Sequence, residues 1–110
     1  MADADAGVGI RKRPTIGGTM AVGIRIKLAG VTAEQFDQLE ASVNARANRP
    51  AGLIFHASGP VDGGWGVMDF WESRADFERF AAERIGPAMA AAGASGAPEI
   101  HEFPVHEYLA

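Results

Sequence analysis

The stretch Gly52-Leu53-Ile54-Phe55-His56-Ala57-Ser58-Gly59-Pro60-Val61-Asp62-Gly63-Gly64-Trp65-Gly66-Val67-Met68-Asp69-Phe70-Trp71-Glu72-Ser73 reads as two strands joined by an Asp-Gly turn and closed by a helix cap. A turn centred on Asp62 and Gly63 is the only arrangement that spares a β-branched residue from positive φ. Positions whose numbers sum to the same value then face each other across the hairpin. His56 stands opposite Asp69 in this register. Strand alternation puts Leu53, Phe55, Ala57, Met68 and Phe70 on one face and Ile54, Val67 and Trp71 on the other.

Upstream of the hairpin, Val22, Ile24, Ile26 and Leu28 alternate with Gly23, Arg25 and Lys27, the signature of a strand. Thr32-Ala33-Glu34-Gln35 is a capping box, in which the Thr hydroxyl and the Gln amide satisfy free amides of a first helical turn. Phe36, Leu39 and Val43 mark the buried stripe of that helix, which is expected to end near Asn48, ahead of Pro50. Downstream, Ser73-Arg74-Ala75-Asp76 starts a second helix, with Asp76 placed against the positive end of its dipole. Phe77, Phe80, Ala81, Ile85, Ala88 and Met89 supply its apolar face, and Gly86-Pro87 predicts a kink or break within it. Residues 93–98 read as a flexible loop. Residues 100–108 read as a last strand whose Pro104 belongs on a sheet edge.

Strand, helix, strand, strand, helix, strand is the ferredoxin-like βαββαβ order, an α+β fold with an antiparallel sheet. Right-handed crossovers are expected to set the first and third strands side by side and parallel, with the second and fourth at the edges. Two helices cover one sheet face and leave the other bare, although both faces of the hairpin carry large apolar groups. A symmetric homodimer is the simplest cover, with residues 101–109 contributing to the contact.

The 110 residues, 47% hydrophobic and 22% charged, describe one globular domain. The absence of cysteine excludes disulfides and thiolate zinc sites and suits a reducing cytoplasm. A formal net charge of −4 gives no polyanion-binding footprint, so nucleic acid is not an expected partner. No apolar run reaches the length of a membrane span, and no secretory signal is evident, so a membrane partner is not expected either. Residues 1–19 read as a flexible N-terminal extension in which Arg11-Lys12-Arg13-Pro14 is a solvated cluster. The domain proper is placed at residues 20–110.

From about residue 20 to 109 the chain resembles the dimeric α/β-barrel superfamily, and within it the antibiotic biosynthesis monooxygenase-like small proteins. The resemblance rests on Gly52-Leu53-Ile54-Phe55-His56, on Pro60-Val61-Asp62-Gly63-Gly64-Trp65, and on the run from Val67-Met68-Asp69-Phe70-Trp71 through Glu72-Ser73-Arg74-Ala75-Asp76-Phe77. It implies the barrel fold, but the superfamily spans oxygenases, haem-degrading enzymes, decarboxylases, isomerases, cyclases and proteins without known activity. Haem-degrading members use an Asn on the first strand and a Trp and a His on the second helix. The matching positions here are Ile24, Phe80 and Ala90, so that chemistry is not implied. Cofactor-independent oxygenases hold an electron-rich aromatic substrate between helices and sheet, which implies a small aromatic or polyketide-like ligand and no cofactor.

On the residues themselves, His56 opposite Asp69 is the candidate catalytic pair. A carboxylate that accepts the proton of one imidazole nitrogen fixes the tautomer and makes the other nitrogen a better base. The ordinary alternative is two polar groups satisfying each other on a half-buried strand. Trp65, Trp71, Phe80 and Tyr108 are the candidate substrate-binding walls of a small apolar pocket between sheet and helices, with core packing the plainer role for the tryptophans. His101 and His106 differ by an odd number and point to opposite faces of a regular strand, so no metal site is expected. Gly7-Val8-Gly9 and Gly63-Gly64 lack the lysine or helix start that phosphate binding needs. Arg25 and Lys27 are expected to pair with Glu102 or to bind an anionic group. Arg74, Asp76, Glu78 and Arg79 are expected to form a solvated helix face with local ion pairs.

Overall fold

The computed structural model describes residues 10–12, 15–16, 19–93 and 97–109. The main sheet is built from β1 (Val22–Ala29), β2 (Leu53–Val61), β3 (Gly64–Trp71) and β4 (Glu99–Pro104). Helix α1 (Ala33–Val43) follows β1, and α2 (Arg74–Phe80) and α3 (Gly86–Ala91) follow β3. The sheet order is β2-β3-β1-β4, the ferredoxin-like arrangement.

β1 and β3 are neighbours in the middle of the sheet, as expected, but they run antiparallel rather than parallel. The crossover through α1 makes β2 parallel to β1, and the tight hairpin then reverses β3 before it inserts between them. Val61 faces Gly64 across the two-residue turn, and only Gly63 of the turn pair takes positive φ, at 78°. His56 pairs with Asp69 in the register that this turn requires. At the start of β2 the register shifts, so that Leu53 faces Trp71 while Phe55 faces Phe70. Leu53 therefore joins the face of Trp71, not that of Phe55, because a bulge adds one residue and exchanges faces. The Arg49 guanidinium donates to the carbonyls of Leu53 (2.7 Å) and Ile54 (3.0 Å), tying down the irregular backbone.

Helix α1 begins with the expected capping box: Gln35 N–H donates to Thr32 Oγ1 at 3.2 Å and Thr32 N–H to Gln35 Oε1 at 3.0 Å. It ends at Val43, earlier than expected, because Asn44 adopts the left-handed conformation (φ 57°) that terminates a helix. Arg84 braces the end of the helix and the loop after it, donating to the carbonyls of Val43 (3.3 Å) and Asn48 (2.6 Å). Ser73 caps α2, accepting from Asp76 N–H at 3.1 Å.

The Gly86-Pro87 step neither breaks the second helix nor ends it. Residues Ala81–Ile85 form a π-turn, with Gly86 N–H donating to Ala81 C=O, and α3 continues from there. The wider turn relieves the clash between a proline ring and the carbonyl four residues back.

The last strand stops at Pro104, at the sheet edge. Val105 N–H turns back to Ala21 C=O at 2.9 Å, and Glu107–Leu109 pairs instead with Ile10–Lys12. Thr15–Ile16 pairs with Thr19–Met20.

The core lies between sheet and helices. Val22, Ile24, Ile26 and Leu28 from β1 and Val67 and Trp71 from β3 meet Phe36 and Leu39 of α1, Phe77 of α2 and Ala88 of α3. Ile24 and Trp71 are wholly buried. The opposite face carries Phe70 between Phe55 (ring centroids 6.3 Å) and Phe103 (6.2 Å), with Phe55 and Phe103 exposed. Gly23 permits this, because a Cβ there would strike the Phe103 ring. Glu102 pairs with Ile24, on the opposite face from Arg25, and its carboxylate meets Arg74 at 3.2 Å. The expected pairing of Glu102 with Arg25 or Lys27 is thereby corrected. Arg74 with Glu78 and Arg79 with Asp76 form the local ion pairs on α2. No helix among the described residues is long and apolar enough to cross a membrane.

Candidate active site

Between the sheet and the helices lies a cavity of about 410 Å³. Its walls are largely apolar and include Ile26, Leu39, Trp71, Phe80 and Met89. The wall turns polar where His56 meets Asp69 and Glu40, and Glu40 meets Arg46, and Arg49 also lines it. The cavity exists because α1 and the α2–α3 helix cover the middle of the sheet and leave its rim open. Ile100, which faces Ile26 on the helix side of the sheet, lines the cavity and is 47% exposed.

The polar end is assembled from three elements. Asp69, on the central strand β3, is 3% exposed and cannot be left there unpartnered. Its Oδ1 accepts from His56 Nδ1 at 2.6 Å, and its Oδ2 accepts from Trp71 Nε1 at 3.3 Å. Trp71 is two residues along the same strand and so on the same face. The indole is itself fixed by packing on Phe77 (ring centroids 5.9 Å) and Phe80 (5.2 Å). Asp69 is thus held from both sides, and it fixes the orientation of the His56 ring.

The second His56 nitrogen, Nε2, lies 3.4 Å from Glu40 Oε2. An imidazole between two carboxylates is favoured as the cation. The hydrogen bond to Asp69 is the largest influence raising the His56 pKa, burial opposes it, and the charges of Asp69 and Glu40 add to the rise. Below that raised value both ring nitrogens carry hydrogen and donate outward. Above it, Nε2 presents a lone pair toward the cavity.

Of the six residues singled out from the sequence, His56, Asp69, Trp71 and Phe80 come together around this cavity. Trp65 does not line it. Its ring stacks on Phe36 at 5.5 Å, and its buried Nε1 has no hydrogen-bond partner among the described residues. Tyr108 pairs through its backbone with Arg11, and its side chain lies outside the described residues. Glu40 and Arg49 were not legible as site residues. Glu40 sits one residue beyond Leu39 of the apolar stripe, where a partly inward position is allowed, yet nothing local marks its partner.

No protein-family model and no curated protein matches the sequence. Solved structures do. A candidate antibiotic biosynthesis monooxygenase from Caulobacter crescentus superposes with a TM-score of 0.63 at 18% identity, covering 79% of this chain and 91% of its own. The chain has the fold of the antibiotic biosynthesis monooxygenase-like proteins. SnoaB, a cofactor-independent oxygenase from Streptomyces nogalater, is similar with a TM-score of 0.56 at 18% identity, over 76% of this chain and 89% of that one. A hydroxynitrile lyase from Passiflora edulis shares the fold at 16% identity, with a TM-score of 0.55 over 77% of this chain and 93% of its own. One backbone arrangement thus serves different chemistries, and the site has to be read from its own residues.

Proposed function

We propose that this chain is a monooxygenase-like enzyme, or a related one, acting without a bound cofactor on a small aromatic or polyketide-like compound. The observation that carries this reading is the apolar cavity that ends at the His56–Asp69 pair. A planar ring has apolar walls to bury against, and its hydroxyl or activated C–H has one imidazole nitrogen to meet. In this scheme His56 takes the proton, Asp69 orients the ring and stabilises the imidazolium, and Trp71 holds Asp69 and closes the wall. The deprotonated, electron-rich substrate then reacts with oxygen. For an activated methylene, one oxygen atom becomes the new carbonyl, and the other leaves as water with both methylene hydrogens.

A second reading keeps the cavity and drops the chemistry, making the protein a ligand-binding or accessory factor. Glu40 beside Nε2 favours it, because a doubly protonated His56 has no lone pair to accept a proton. Oxygen-electrode and product assays on a panel of electron-rich phenols and quinols distinguish the two. The enzyme reading expects oxygen uptake by the wild type and its loss in His56→Ala, with Asp69→Asn folded but slow. Full activity in His56→Ala overturns the assignment, and binding without any uptake across the panel leaves the accessory role.

We further propose that a second copy of the chain covers the aromatic face of the sheet, where Phe55 and Phe103 are 54% and 46% exposed.

A further inference from the structure

The two nitrogens of His56 sit in different settings. Nδ1 meets Asp69, which is buried and braced by Trp71. Nε2 meets Glu40, whose side chain is 28% exposed and whose other oxygen lies 3.9 Å from Arg46, itself 90% exposed. The inner contact is fixed and the outer one yields. Among the described residues, the charged groups that meet the ring are Asp69 from β3 and Glu40 from α1; of the two arginines between α1 and β2 that also line the cavity, Arg46 meets Glu40 and Arg49 is committed to backbone carbonyls. Because Glu40 forms part of the cavity wall, a ligand that reaches Nε2 meets its carboxylate at the same time.

That juxtaposition discriminates between ligand groups. A hydroxyl both donates and accepts, whereas a carboxylate only accepts. With His56 doubly protonated, a ligand hydroxyl set between the two accepts from Nε2–H and donates to Glu40. With the outer proton gone, the same hydroxyl donates to Nε2. A ligand carboxylate is satisfied only in the first state, and there it lies against the like charge of Glu40, at hydrogen-bond range where bulk salt screens least. Two hydrogen bonds of about 2.8 Å meeting at the hydroxyl require Glu40 to retreat by about 1 Å, within reach of a rotamer adjustment in a side chain that is partly solvated. We propose that Glu40 is the specificity-determining residue of the cavity, selecting ligands that offer a neutral hydroxyl to His56 and rejecting carboxylates. The proposal rests on the small-molecule reading of the cavity given above.

Calorimetric titration of the full chain with 2-naphthol and with ionised 2-naphthoate measures the preference. The wild type is expected to bind the naphthol at least about tenfold more tightly, the scale of one hydrogen bond to a charged group. Glu40→Gln keeps the shape and removes the charge. It is expected to bring the two affinities within about threefold, chiefly by strengthening naphthoate, while the His56 imidazole resonances titrate at lower pH. Glu40→Asp keeps the charge but withdraws it by one methylene, and is expected to fall between. An unchanged preference in folded Glu40→Gln, with both probes bound, overturns the role of Glu40 and leaves the cavity reading standing. Equal affinities in the wild type overturn it likewise. Binding of neither probe to the wild type overturns both.

Discussion

The two faces of the sheet are made by the same strands and by neighbouring residues, yet they are finished differently. On the helix side, Ile24 and Trp71 are fully buried, and Val22, Ile26, Leu28 and Val67 are nearly so. On the other side, Phe70 packs tilted against Phe55 and T-shaped against Phe103, and the outer two remain exposed. The helix side also carries all of the candidate chemistry, because a hydrogen-bonded histidine and carboxylate gain strength and direction only where water is thinned out. The aromatic side is apolar without being enclosed, which is the condition of a surface that stability alone does not explain.

Four experiments press on that contrast. Trp71→Ala removes a wholly buried ring and one of the two partners of Asp69. A loss of about 3–5 kcal/mol in denaturant unfolding is expected, and a loss below about 1 kcal/mol would mean that the helix side is not the closed one. Asp69→Asn is expected to cost about 1–3 kcal/mol and to lower the pH at which His56 titrates, followed by its imidazole resonances. A His56 titration that does not move would show that Asp69 is not its governing partner.

Phe103→Ser is aimed at the aromatic face. Light scattering at micromolar concentration is expected to give a dimer for the wild type and at least about tenfold weaker self-association for the variant, with the unfolding free energy of the separated chain lowered by only about 1 kcal/mol, since about half of the ring is buried within one chain. A wild type that stays a monomer removes the second copy from the proposal.

The smallest effect is in the pH dependence of stability. The folded-state pKa of His56 is raised, so its contribution is fully present below the unfolded value of about 6.5 and fades as pH rises through the folded value. Thermal midpoints are expected to drift downward over that interval in the wild type and to drift less in His56→Gln. Equal slopes in the two proteins would contradict the pairing. In the enzyme reading the turnover rate runs the other way, rising over the same interval as His56 loses its proton.

The sequence alone determines a particular class of feature. The alternation in Val22, Ile24, Ile26 and Leu28, the capping box at Thr32 and Gln35, the Ser73 cap and the Asp62-Gly63 turn are statements about φ, ψ and side-chain period, and these are settled by residues a few positions apart. The turn even carries a longer inference, because a two-residue hairpin fixes register, and register alone brings His56 to Asp69. The bulge at Ile54 was not visible in the same way, since it depends on how Arg49 and the preceding loop enter the sheet. The antiparallel course of β3 beside β1 follows from adding a crossover to a reversal, which is topology and not propensity. The early end of α1 turned on Asn44, a residue that tolerates the left-handed region, and on Arg84 reaching it from another helix.

The site divides along the same line. His56, Asp69 and Trp71 share a sheet face through strand period and hairpin register, so the sequence determined that half. Glu40 has no periodic or register relation to His56. Only the angle at which α1 crosses the sheet sets its carboxylate 3.4 Å from the outer nitrogen. Trp65, on the same face of the same strand, is turned from candidate wall to core by the position of Phe36 on that helix. Local backbone geometry and side-chain period decide which residues share a face. Packing between elements, a sum of many weak contacts distributed along the chain, decides which of them meet.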